Sequence, residues 1–252
     1  MGALHRGHVS LIKQSVNEND VTVCSIFVNP IQFNNADDLA KYPRNIRNDL
    51  KLLKKVGCDM VFVPTVEEMY PNDVLEHYSF GALENVMEGV FRPGHFNGVA
   101  IAVKRLFNIV QPDKAYFGKK DFQQMTLIRE LVNIEKLPVK IVACPIVREK
   151  DGLAMSSRNQ RLSLEARTIA PKAYRILTDA LQLFSEKSVY ETEQFVVSEI
   201  AKEKQFRLEY FKIVDKTTLQ ENDNRDNPNG LIGCIAFWVD DVRLIDNIEF
   251  TK

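Results

Sequence analysis

Short β-branched runs alternate with stretches of helical period along the first 146 residues, and this alternation restricts the fold more than any other feature. VTVCSIFV (21–28), MVFVP (60–64), KAYFG (114–118) and VKIVACP (139–145) read as short strands, nearly continuous in apolar character, as strands buried on both faces require. Between them lie helical stretches. Val9, Ile12 and Val16 repeat at helical spacing after the opening residues. A helix over 44–56 turns Ile46, Leu50 and Leu53 inward and closes at Gly57. GVAIAVKRLFNIV is stopped by Pro112, and a further helix covers about 121–136. Strands alternating with helices predict an α/β fold with a doubly wound parallel sheet, whose ligands bind at the carboxyl ends of its strands. Only 66–98, with Pro71, Pro93 and several glycines, is looser.

From residue 147 the pattern changes to a polar loop, amphipathic helices over 163–185 and 190–204, and the strand-like runs RLEYFKIVD, GLIGCIAFWV and VRLIDNIEF. Asp240 and Asp241 mark a hairpin turn, and 221–230 a solvated Asn/Asp-rich loop. The expected division is 1–146 for the parallel-sheet domain and 147–252 for a smaller α+β domain. With 33 basic and 34 acidic residues, formal net charge −1, no overall field draws the chain to nucleic acid or an anionic membrane, so an anion site must be local. No apolar run approaches the roughly 20 residues of a membrane span, and no secretion signal opens the chain, so a cytoplasmic location is expected. Cys24, Cys58, Cys144 and Cys234 form no CxxC pair and read as small buried hydrophobes.

Gly2 and Gly7 stand as in a phosphate-binding GxxxxGK[ST] loop, but His8 and Val9 replace its lysine and hydroxyl, and no GxGxxG occurs. What remains is His5-Arg6-Gly7-His8 at a helix start. Free N-terminal amides favour an anion there and two imidazoles can donate to phosphoryl oxygens, or the pair simply caps and solvates the helix. Lys119, Lys120 and Asp121 at a strand end either offset a triphosphate and hold a ribose hydroxyl, or form a solvated pair with a structural cap. Ser156, Ser157 and Arg158 either close over phosphate oxygens or belong to a polar linker. Gln32 offers a donor and an acceptor suited to a hydroxy acid, and Arg92 suits a carboxylate.

Taken together and in order, MGALHRGH, FVNPIQF, YPR, FRPGHFNGV, NIVQPDKAYFGKKDFQQ, VREKDGLAMSSRN and RLIDNI resemble the pantoate–β-alanine ligase (pantothenate synthetase) family over nearly the whole chain. The resemblance implies a Rossmann-like nucleotidyltransferase domain and a smaller C-terminal lid that closes over ATP, in a homodimer. The implied reaction activates pantoate with ATP to pantoyl adenylate and pyrophosphate, then transfers the pantoyl group to β-alanine, with magnesium accompanying the triphosphate. Met1, Gly2, Ala3, Leu4, His5, Arg6, Gly7 and His8 match the first ATP segment, with His8 as proton donor and His5 its partner on the phosphates. Gly118, Lys119, Lys120 and Asp121 match the second, Lys120 being the phosphate ligand; Val147, Met155, Ser156, Ser157 and Arg158 match the third. Gln32 and Gln124 correspond to the pantoate-holding glutamines, Arg92, Asn29 and Tyr42 to lesser candidates, and Asp49 to a magnesium ligand.

Family members carry a helix and a strand ahead of the MGALHRGH equivalent, and these are missing from this sequence. Either Met1 is a downstream or mis-assigned start, or the expected sheet lacks its first strand, leaving an uncovered edge, a loose nucleotide loop and, as the alternative to full activity, a nucleotide-binding but catalytically impaired form. A related HxGH nucleotidyltransferase acting on a different acid is the nearest rival, against which FVNPIQF and FRPGHF speak.

Overall fold

Residues 1–250 are described in a computed structural model of the chain. The β-branched runs form short parallel strands, β1 (Val23–Ser25) against β2 (Met60–Phe62) and, separately, β3 (Lys114–Gly118) against β4 (Lys140–Cys144). The helices around them are α1 (Arg6–Glu18), α2 (Ala36–Ala40), α3 (Ile46–Lys55), α4 (Val66–Met69), α5 (Glu88–Phe91), α6 (His95–Val110) and α7 (Phe122–Ile134). Then follow α8 (Leu164–Ile169), α9 (Lys172–Leu183), α10 (Val189–Lys202) and three long strands, β5 (Phe206–Asp215), β6 (Leu231–Val239) and β7 (Val242–Phe250), paired antiparallel in that order. This is the α/β class that the alternation predicts. The expected helix over 163–185 divides at Pro171, whose missing N–H cannot continue the α8 ladder.

The chain divides into two compact units, one of Met1–Glu84 with Glu88–Val147, the other of Asn85–Met87 with the chain from Arg148 on. In the first, two apolar clusters form. Leu4, Ile12, Cys24, Ile26 and Leu53 surround β1, while Phe96, Val99, Ile101, Leu127, Ile128 and Leu131 join α6 to α7. In the second, α9 and α10 cover β5–β7 through Leu177, Ala180, Val196, Ile200, Ile213, Ile235 and Phe237. Val239 and Val242 pair across the expected Asp240–Asp241 turn, with Asp240 left-handed at φ 52°. Cys24, Cys144 and Cys234 are buried and Cys58 is half-buried, all as free thiols.

Two expectations are corrected. Ile46 and Leu50 are 41% and 42% exposed, so the inward face of α3 carries Asp49 and Leu53, with Leu52 and Val56 beside them. A polar residue takes an interior position because backbone amides meet it there, a pairing that hydrophobic periodicity cannot register. The opening loop is likewise bonded down: Met1 N donates to Ser25 O and Phe27 N to Met1 O, each at 3.0 Å, so Met1 lies alongside the end of β1.

Close packing sets the turn after β1. Residues Pro30–Gln32 form a 3-10 turn capped by Asn29, and α6 crosses it so closely that a Cβ on Gly98 would lie 2.5 Å from Ile31 O. Backbone cannot yield as a side chain can, so Gly98→Ala should cost about 1–3 kcal/mol in denaturant unfolding. An unchanged midpoint would contradict this packing.

Candidate active site

The helix α1 begins at the His5–His8 pair. His5 occupies its N-cap, where Nδ1 accepts from Gly7 N at 3.2 Å, and His8 Nδ1 accepts from His5 N at 3.4 Å. Both Nδ1 atoms therefore act as acceptors, which in neutral imidazoles puts the proton on Nε2. The rings lie 4.0 Å apart between centroids. Burial first, then the charge of Lys120, lowers His5 to about 4; burial, then the neighbouring His5, lowers His8 to about 2. At neutral pH the pair consists of uncharged N–H donors at a helix N-terminus, where unpaired amides and the helix dipole also favour an anion. The capping role is served by the Nδ1 atoms, and it leaves the Nε2–H of each ring outside those caps, so the two alternatives offered by the sequence do not compete for one nitrogen.

The loop leading into the pair is held by Asp49. Ala3 has φ 47°, a left-handed conformation that costs a residue with a β-carbon about 1–2 kcal/mol. The Asp49 carboxylate accepts from Ala3 N at 3.0 Å through Oδ2 and from Leu4 N at 2.7 Å through Oδ1. With Asp49 only 1% exposed, these charge-assisted bonds offset the desolvation of the carboxylate. They also commit the Ala3 and Leu4 amides, so any contact of those residues with a nucleotide is through other atoms. Gly2 lies under Val28, whose Cγ2 would be 3.4 Å from a Cβ there.

The carboxyl end of β3 leads through the turn Lys119–Asp121 into α7. Lys120 and Asp121 lie near enough to His5 to act on its charge in opposite senses. Asp121 occupies the N-cap of α7 without a side-chain capping bond. Gln123 is buried, accepting from Glu88 N at 3.0 Å and donating to Leu83 O at 2.9 Å. Gln124 is half-buried in the same turn, and among the described residues its amide makes no hydrogen bond.

The turn after β1 orients Gln32. Buried Asn29 donates from Nδ2 to Gln32 Oε1 at 3.2 Å and to Gly98 O at 3.0 Å, while its Oδ1 accepts from Tyr70 Oη at 2.6 Å. With Gln32 Oε1 so occupied, Nε2 is the end of the amide left outside this bond. Asn29 is the residue that aims Gln32. Tyr42 meets Phe33 edge-on at 5.6 Å. Behind the turn, His95 Nδ1 donates to Gln32 O at 2.9 Å, and Arg92 donates to His95 Nε2 at 3.0 Å and to Glu88 at 3.3 Å. Arg92 cannot donate to a protonated nitrogen, so its bond fixes the His95 tautomer. Sequence reasoning passed over Tyr70 and the tethering role of His95. His95 stands within the quoted FRPGHF motif, whereas Tyr70 lies 41 residues from its partner and carries no local signal.

In the second unit, Ser156 caps the 3-10 turn Ser157–Arg161 by accepting from Arg158 N at 3.2 Å, and Ser157 and Met155 are buried. The loop before it is fixed by Arg148, bound to Asp246 at 2.6 and 3.0 Å with its guanidinium 3.6 Å from the Tyr174 ring centre. The motifs VREKDG and RLIDNI thus meet through one part-buried ion pair. Val147 ends the first unit, separate in this division from the serines and arginine it was grouped with.

A family model described as pantoate-beta-alanine ligase matches residues 1–249. The chain is 53% identical to a pantothenate synthetase of Bacteroides fragilis, over all of this chain and 89% of that protein. It is 50% identical to one of Porphyromonas gingivalis, over 99% of this chain and 89% of that protein. Among solved structures, pantothenate synthetase from Thermus thermophilus superposes with TM-score 0.95 at 42% identity, covering 100% of this chain and 91% of that one. A pantoate-β-alanine ligase from Francisella tularensis, complexed with β-γ ATP and β-alanine, superposes with TM-score 0.81 at 36% identity, covering 99% and 87%.

The histidine pair makes stability depend on pH. Unfolded imidazoles titrate near 6.5 while the folded ones titrate at about 4 and about 2, so between pH 6.5 and 4 the unfolded chain binds more protons and stability falls as pH falls. Thermal melts of His8→Gln should lose less midpoint over this window than the wild type. Parallel slopes would show that His8 is not held neutral by the fold.

Proposed function

The chain belongs to the pantoate–β-alanine ligase family and joins pantoate to β-alanine at the expense of ATP, and from this premise we propose which of its residues carry each step. A pantoate carboxylate oxygen attacks the α-phosphorus of ATP. The new P–O bond replaces the bond to the β-phosphate bridge, and pyrophosphate leaves. The amine of β-alanine then attacks the acyl carbon, the acyl C–O bond breaks, AMP departs with its electron pair, and the amine loses a proton to give the amide.

The difficulty of the first step is an anion approaching a polyanion, so catalysis consists of positioning and charge stabilisation. The observation that carries this reading is the neutral histidine pair at the start of α1, with Nδ1 tied to backbone and Nε2–H left as donor, within the electrostatic reach of Lys120. His5 and His8 donate to phosphoryl oxygens as charge builds, and Lys120 supplies the full positive charge. His8 acts as a hydrogen-bond donor and not as an acid, because at neutral pH its imidazole is uncharged and its Nε2 proton is shared with a phosphoryl oxygen without being transferred. Gln32 and Gln124 hold pantoate, with Gln32 Nε2 donating to it. Ser156, Ser157 and Arg158 are assigned to the nucleotide by their motif, and the second unit to the role of lid.

Magnesium enters on the triphosphate as part of the substrate. Among the described residues no three of His, Cys, Asp and Glu gather as a metal group, and a cation held mostly by phosphate oxygens and water needs no such cage. No helix of the described residues is long and apolar enough to cross a membrane. We place the enzyme in the cytoplasm as a homodimer, which sedimentation equilibrium tests: twice the chain mass is expected, and the mass of a single chain would contradict it.

Lys120→Ala and His8→Ala should each lower pantoate-dependent ATP–pyrophosphate exchange by about 10²-fold or more, the scale for removing one transition-state donor. Near-normal exchange in either variant would remove that residue from the adenylation step.

A further inference from the structure

We propose that Asp49 is the positioning residue of the adenylation site, holding the backbone from which His5 and His8 project. The inference rests on the reading of these imidazoles as phosphate donors and names the group on which their placement depends.

The two bonds from Ala3 N and Leu4 N reach the two different oxygens of one buried carboxylate, at 3.0 and 2.7 Å. Consecutive amides converge in this way only while Ala3 stays left-handed, at φ 47°. The carboxylate is itself held in place. Leu53, one helical turn beyond Asp49, is 1% exposed and packs in the same cluster as Leu4, Ile12, Cys24 and Ile26. One face of α3 therefore carries both the anchor into the core and the tether onto the loop.

Without the tether, the loop loses the two charge-assisted bonds that favour Ala3 in a conformation its β-carbon opposes. Relaxation of Ala3 turns the following peptide planes, and those planes carry the His5 amide that fixes His8 Nδ1. The consequence falls on two observables at once: the orientation of the imidazoles and their Nε2–H tautomer. Both oxygens of Asp49 face the loop amides, which sets this role apart from the magnesium ligation that the family resemblance suggested for it.

The test uses Asp49→Asn, nearly isosteric but placing an NH₂ against an amide donor, and Asp49→Ser, a smaller residue that keeps one acceptor. In both, kcat for pantoate-dependent pyrophosphate exchange should fall about tenfold to a hundredfold. Conversion of supplied pantoyl adenylate by β-alanine should stay within about twofold of wild type, because that half-reaction no longer passes charge onto the triphosphate. Excess magnesium should restore nothing. The ¹⁵N shifts of His5 and His8 in the intact chain should leave the single Nε2–H tautomer of the wild type.

Unchanged exchange, or equal loss in both half-reactions, would overturn the proposal, as would recovery with magnesium, which would make Asp49 a metal ligand. Loss of the fold in both variants would also overturn it by assigning Asp49 to the core. The imidazole shifts judge the tether independently of turnover, so a wild-type chain without pantoate-dependent exchange would count against the functional reading and leave the tether to be judged by those shifts.

Discussion

A buried carboxylate bonded to two consecutive amides is the interaction on which the rest of this site depends. Asp49 fixes Ala3 and Leu4. Leu4 packs in the cluster around β1, and the next residue, His5, caps α1. Sheet, helix and opening loop are thereby referred to one another within a few ångströms. A charge in such a position would weaken the fold if its partners were lost. Here it occupies donors that would otherwise be orphaned in a loop too short to form its own ladder.

The same logic of committed and uncommitted nitrogen atoms recurs. His5 and His8 each give one nitrogen to the backbone and keep the other as a donor. Gln32 gives its carbonyl to Asn29 and keeps its amide. His95 is used at both nitrogens, by Gln32 O and by Arg92, and so serves as a strut. For His5, His8 and Gln32 an internal partner fixes one end of an ambivalent side chain and leaves the other outside that bond, the preorganisation on which the proposed ligand contacts draw.

Much of this was legible in the sequence because the relevant signals are local. The runs VTVCSIFV and KAYFG, the stop at Pro112 and the Asp240–Asp241 turn each fix their own structure. The family came from several motifs in order, since each alone had a plain structural explanation. What remained hidden was long-range. The inward face of α3 was misplaced by taking Ile46 and Leu50 as core, because the residue that owns the interior position, Asp49, is polar and its partners lie 45 and 46 residues away. The parallel strands stand as two separate pairs, β1–β2 and β3–β4, among the described residues, a pairing that the alternation alone does not give. Hydrophobic alternation reports that a strand is buried without reporting which neighbour it takes.

The central claim is that this site activates a carboxylate by attack on the α-phosphorus, with protein donors gathered around the phosphates. Pantoate labelled with ¹⁸O in its carboxylate tests it most directly, by mass analysis of the products of complete turnover with ATP and β-alanine. Attack on the α-phosphorus followed by acyl transfer moves one labelled oxygen into each AMP. Unlabelled AMP, or label in pyrophosphate or inorganic phosphate, would contradict the account.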